Sequence, residues 1–189
     1  MNRREAISRV SWLLGGTIVG VNIFLEIDHK LTLEKIEALS NQKNIDLLNE
    51  IGETILPATA TPGAKDAKVG EFMAIMVNDC YWPRDQDTFI QGVDMLNLTC
   101  KKKYSKEFMQ LDTKQRTEIL TILDAEQKIY TKNRKPNDTY HYFRMMKELT
   151  LLSFFTSEMG CTKALRYVAV PGRYDGSLPY KKGDRAWAS

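Results

Sequence analysis

Histidine is scarce in this 189-residue chain, and that scarcity removes several chemistries at the outset. His29 and His141 are the only two; they lie far apart and neither has metal-ligand spacing. Cys80, Cys100 and Cys161 are too widely spaced for the Cys-x-x-Cys-His of haem attachment. Gly-x-Ser-x-Gly is absent, so an esterase-type nucleophile elbow is not indicated. A dinucleotide site would need its glycines at a strand-to-helix turn, and the chain has neither the spacing nor the strand. No uncharged apolar run reaches the roughly 20 residues that cross a bilayer. Charge of one sign is also lacking, since 27 Lys and Arg face 24 Asp and Glu for a net +3. Arg3, Arg4 and Arg9 less Glu5 supply +2, leaving 3 − 2 = +1 for the rest. Nothing in that balance steers the chain towards a polyanion.

What is present is an ordinary globular composition, 43% hydrophobic and 27% charged, at a length that suits one domain with a real core. Residues 1–25 differ from the rest. A short basic start carries Arg3, Arg4 and Arg9, and an uncharged apolar run follows from Trp12 to Leu25. That run has the length and basic flank of a signal-peptide core. The arginine pair points to the twin-arginine route, and the glycines keep the segment mildly hydrophobic, which suits that route. No small-x-small cleavage site stands before Glu26, so a retained membrane anchor remains an alternative, as does a buried N-terminal helix of the domain. The organisation expected is a signal or anchor over 1–25 and one helical domain over 26–189.

Beyond residue 26 the periodicity is helical almost throughout. Ser40 is placed to cap a helix reaching Leu56, with Ile45, Leu48, Ile51 and Ile55 on one face and Pro57 as its stop. Val69, Phe72, Met73, Met76 and Cys80 form a second stripe ending at Trp82-Pro83, and Phe89, Ile90, Val93, Leu96 and Cys100 a third. Asp112 and Gln115 make a capping box before Ile119, Ile122, Leu123, Glu126, Ile129 and Tyr130. Asp138 is placed to cap a last helix with Tyr142, Met145, Met146, Leu149 and Leu152. The basic runs Lys101–Lys103 and Lys132–Lys135 fall where helices should end, and cations are favoured there. No alternating apolar pattern is long enough to build a sheet. The fold class expected is all-α, an antiparallel helical bundle.

Two stretches are unexplained by periodicity. Pro57–Ala64 holds two prolines and a Pro-Gly turn, and Thr156–Gly160 breaks the last helix. Pro57, Thr59, Pro62, Gly63, Thr156, Ser157, Glu158 and Gly160 are therefore the candidate partner interface. A mere interhelix connector is the alternative for the first stretch, and a helix start at Ser157-Glu158 for the second. Alanine at Gly63 would add strain if that glycine has a positive φ. His141, within Tyr140–Phe143, suits a packed or surface role better than a ligand role. Cys80 and Cys100 could form a disulfide only if loop geometry brings them within bonding range; three free buried thiols are the alternative.

Three segments together resemble the gluconate 2-dehydrogenase subunit 3 family. Leu56–Ala67 is similar to its proline-rich signature, and Phe154–Gly160 to its aromatic-Thr-Ser-Glu-x-Gly turn. Val170-Pro171-Gly172-Arg173-Tyr174-Asp175-Gly176 is similar to its tail, and an Arg-Arg leader is usual there. The resemblance implies a small subunit that holds no catalytic residue, cofactor or metal of its own. It implies a periplasmic complex whose large subunit is an FAD-dependent flavoprotein of the glucose-methanol-choline class, acting on a sugar, polyol or sugar acid. A cytochrome c carrying haem commonly takes the electrons. Small subunits of this kind help the large one fold and leave the cell, which also makes the export machinery a partner. A stand-alone envelope protein without an enzyme partner is the other reading.

Overall fold

The computed structural model describes residues 37–170, 172–173 and 175–188. The leader expected over 1–25, Arg3, Arg4 and His29 lie outside the described residues.

Five α-helices follow in order: α1 Gln42–Ile55, α2 Val69–Cys80, α3 Pro83–Tyr104, α4 Thr113–Asn133 and α5 Tyr142–Thr156. A 3-10 turn, Phe108–Gln110, precedes α4, and a π-helical turn, Gly160–Ala164, follows α5. The described residues contain no strand; a single parallel bridge pairs Arg166 with Trp187. The all-α expectation holds.

Side-chain chemistry sets the helix ends. Asn41, one residue past the expected Ser40, caps α1 by accepting the Asn44 N–H at 3.0 Å. Pro83 opens α3 at a position where a missing N–H costs nothing. The Asp112–Gln115 capping box opens α4 as its spacing predicts. Asp138 does not cap α5: its carboxylate accepts from Lys135 N–H at 3.1 Å and is spent within its own turn. His141 caps instead, its Nδ1 accepting the Phe143 N–H at 3.2 Å.

The core runs through all five helices. Leu48 and Ile51 of α1 meet Val69, Met73 and Val77 of α2, with Phe89, Leu96 and Cys100 of α3 and Ile119 and Leu123 of α4. Met146, Leu149 and Phe154 bury α5 among them, and α5 packs on all four other helices. Two expected stripes run wider than the buried face. Ile122, Ile129 and Tyr130 of α4 and Leu152 of α5 are exposed, while Leu120 and Gln127 are buried on α4. An apolar stripe wider than about 100° cannot all face one neighbour. None of the described helices is long and apolar enough to cross a membrane.

Candidate partner interface

The proline-rich segment is a closed loop built against the end of α1. Ile55 is the last helical residue, and Leu56 N–H still reaches back to Gly52 O at 2.8 Å. Ala64 N–H then donates to Leu56 O at 2.9 Å, so the chain returns to its point of departure. Inside this ring Thr59 N–H donates to Thr61 O at 2.9 Å. The carboxylate of Glu53 spans the base: Oε1 accepts from Ala58 N–H and Oε2 from Lys65 N–H, both at 2.9 Å. Gly63 N–H is taken by Asp66 Oδ2 at 3.1 Å. Compact loops with joined ends and satisfied backbone groups are often functional.

Gly63 is held here by space, not by backbone sign. The described non-helical glycines with positive φ are Gly172 and Gly183, so the left-handed conformation entertained for Gly63 is not used. A Cβ at Gly63 would instead overlap both Glu53 carboxylate oxygens and come within 2.7 Å of Ala58 N. Gly63 and Ala64 are accordingly buried, while Pro57 to Ala60 form an exposed tip with Thr59 at its centre. Pro62 is half-buried at the return.

A polar strut supports the loop from below. Glu50, one helical turn before Glu53, takes Lys65 Nζ at 2.7 Å and also pairs with Arg116 of α4. Arg116 continues to the carbonyls of Phe108 at 3.2 Å and Met109 at 2.9 Å, tying α1, the 3-10 turn and α4 together. Partial burial by itself would raise the Glu50 pKa. The Lys65 hydrogen bond and the Arg116 charge outweigh it and hold the carboxyl below its ordinary value. Sequence reasoning missed Glu50, Glu53, Asp66 and Arg116. One signal was there: two carboxylates in the last turns of a helix oppose the macrodipole and call for a local cation or donor.

The second segment is a hinge between α5 and the π-helical turn. Ser157 Oγ donates to Phe154 O at 2.7 Å and accepts from Gly160 N–H at 3.0 Å, so Ser157 ends one helix and starts the next. A Cβ at Gly160 would overlap the Phe154 carbonyl oxygen outright. Thr156 and Glu158 are exposed beside this turn, Ser157 is half-buried and Gly160 is buried. No hydrogen bond or ion pair among the described residues joins the two segments. Both segments border one core, which includes Ala64 and Phe154, and a Cβ added at Gly52 would meet Val69, Ala64 and Thr150 of α5.

The cysteines are free: Cys80 is exposed, Cys100 buried and Cys161 half-buried. The entertained Cys80–Cys100 pair is not formed, because α3 separates the two. Cys100 lies 17 residues beyond Pro83, about 25 Å along the helix. A disulfide needs Cα atoms within about 7 Å. Among the described residues no group of three or more His, Cys, Asp or Glu is gathered as for a metal ion.

The family model for gluconate 2-dehydrogenase subunit 3 matches residues 42–172, from the first residue of α1 through both segments just described. The chain belongs to the gluconate 2-dehydrogenase subunit 3 family. No curated protein and no solved structure gives a significant match. Membership in this subunit 3 family suggests an accessory subunit of a dehydrogenase complex with larger subunits.

Proposed function

We propose that this subunit 3 family member serves a periplasmic, membrane-linked dehydrogenase by helping its large flavoprotein subunit fold and leave the cell. The large subunit in this reading is FAD-dependent, of the glucose-methanol-choline class, and oxidises a sugar, polyol or sugar acid; a cytochrome c accepts the electrons. Catalysis and cofactors belong to those partners. The subunit supplies its arginine-pair leader, Arg3 and Arg4, and a folded surface.

The observation that carries the reading is the family match across the ordered helical body, with both signature segments inside it. The loop's construction supports it. Glu53 fixes the base, so the exposed tip Pro57–Ala60 is presented on ordered backbone and loses less entropy on binding. Pro57, Thr59, Thr156 and Glu158 are the exposed candidates available to a partner, while Gly63, Ser157 and Gly160 maintain the turns.

Co-expression with the large subunit tests the proposal. Flavoprotein activity should reach the periplasm with the wild-type subunit and stay cytoplasmic with Arg3→Lys and Arg4→Lys combined. Equal periplasmic activity with the subunit deleted would overturn it.

A further inference from the structure

The arm that follows the π-helical turn is largely exposed, yet it is closed at its root. Arg166 N–H donates to Ala186 O at 2.7 Å, and Ala188 N–H donates to Arg166 O at 3.0 Å. The Arg166 guanidinium lies 4.7 Å from the Trp187 ring centroid and 3.7 Å from the Asp184 carboxylate. Arg185 Nη1 donates to Lys163 O at 2.8 Å, fastening the closure to the π-helical turn. Within the arm, Ser177 N–H donates to Asp175 and Lys181 N–H to Asp184, each at 3.0 Å. Among the described residues, no hydrogen bond or ion pair joins residues 166–188 to any residue before Lys163.

Every described residue from Tyr167 to Trp187 is exposed. Tyr167, Val168, Val170, Leu178, Tyr180 and Trp187 are among them, with Val170 at 81% and Tyr180 at 76% exposure. A solvated connector needs no such set, and clustered exposed apolar groups mark interaction surfaces. The charge is as uneven. Arg166, Arg173, Lys181, Lys182 and Arg185 against Asp175 and Asp184 give 5 − 2 = +3, equal to the net +3 of the whole chain. With +2 on Arg3, Arg4 and Arg9 less Glu5, the rest of the chain outside the arm sums to 3 − 2 − 3 = −2, so a basic arm follows an acidic body.

We infer that this arm is a docking element for the larger dehydrogenase subunit, seated in an apolar groove with an acidic rim. The inference rests on the subunit reading above. Tyrosine, tryptophan and arginine are the side chains enriched at protein interfaces and their energetic centres. An anionic bilayer would be met instead by an amphipathic helix or a dense Lys/Arg cluster, and the arm has neither. Closure at Arg166 and Trp187 holds the two ends of the arm together before binding, which lowers the cost of docking.

A photo-crosslinking residue placed at Tyr180, or for comparison at Ile129 on α4, tests this in cells making the native complex. Crosslinking of the large subunit from position 180 is expected. Crosslinks from 129 alone, or from neither position, would overturn the arm; the subunit reading stands or falls separately, on the export test above. With purified full-length subunits, Val170→Ser with Tyr180→Ser should weaken association at least tenfold and leave helical content unchanged. Lys181→Glu with Lys182→Glu should weaken it more at low salt than at high salt. Association indifferent to all four changes, or binding of the wild-type chain to anionic phospholipid vesicles that these changes abolish, would overturn the inference.

Discussion

The Glu53 carboxylate and Gly63 occupy the same narrow space. One oxygen of Glu53 takes Ala58 N–H, the other takes Lys65 N–H, and hydrogen is the only substituent that fits at position 63 beneath them. A helix-end acid thus sets both the entry and the exit of the proline-rich loop. The glycine in the signature follows from the acid as much as from the turn.

Coupling between the two residues is the first consequence. Gly63→Ala should destabilise the wild-type chain by about 1–3 kcal/mol, as overpacking does. Glu53→Ala frees two backbone donors and should cost about 1.5–3 kcal/mol, the range for hydrogen bonds to a charged group. In the Glu53→Ala background the added methyl loses its two closest approaches and keeps Ala58 N at 2.7 Å, so its cost should fall by about 0.5–3 kcal/mol. Denaturant unfolding of the four proteins measures this. Strict additivity would mean that the carboxylate does not shape the loop.

Much of the architecture was legible because it depends on local pattern. The helix at Val69–Cys80, the stripe at Phe89–Cys100 and the capping box at Asp112 were found where spacing put them, although Cys80 is exposed and Val77 takes the buried place on its helix. Cap choice was less legible at Ser40 and Asp138. Each stood near a residue, Asn41 or His141, equally able to accept an N–H, and only the chain path decides between them. The exposure of Ile122 and Ile129 was hidden because periodicity gives a face and not the width of its neighbour. The loop's position in sequence was plain, but its support was not. Glu53 reaches Lys65 N across 12 residues and Glu50 reaches Arg116 across 66, contacts that no local window contains.

The second signature should divide sharply between its serine and its glycine. Ser157→Ala removes one acceptor from Gly160 N–H and should cost about 0.5–2 kcal/mol, as cap deletions do. Gly160→Ala drives a methyl into the Phe154 carbonyl, where backbone must move, and should cost about 3 kcal/mol. Thermal melts of the two variants rank them. Equal losses would show that the turn relaxes freely.

Thiol reactivity separates Cys80 from Cys100. Burial pushes the Cys100 thiol up to about 11, so it is both shielded and protonated at neutral pH. Exposed Cys80 should alkylate within minutes in the native protein, and Cys100 only after unfolding. Peptide mass spectrometry after iodoacetamide treatment reads both. Recovery of a Cys80–Cys100 crosslinked peptide would contradict the separation imposed by α3.

His141 makes the start of α5 sensitive to mild acid. Burial lowers its pKa, with the charge and hydrogen bond of Glu126 opposing that effect only in part. Its Nδ1 accepts the Phe143 N–H, and the ring packs between Tyr130 and Tyr142, at 5.6 and 4.5 Å between centroids. The folded state therefore binds a proton less readily than the unfolded chain, whose histidine titrates at about 6.5. Stability from this group is fully present above that value. It declines as pH falls through it towards the lower folded pKa, because the unfolded state then holds more protons. Protonation also converts Nδ1 from acceptor to donor and removes the cap. Asp124 adds no change in this window: the Lys128 and Lys147 hydrogen bonds hold it at about 2, so its loss begins only in stronger acid. His141→Asn retains an oxygen that can cap α5 but cannot titrate. The wild-type melting temperature should drop between pH 7.5 and 5.5, and that of His141→Asn should stay nearly level. Equal drops in both proteins would assign the acid sensitivity to another group.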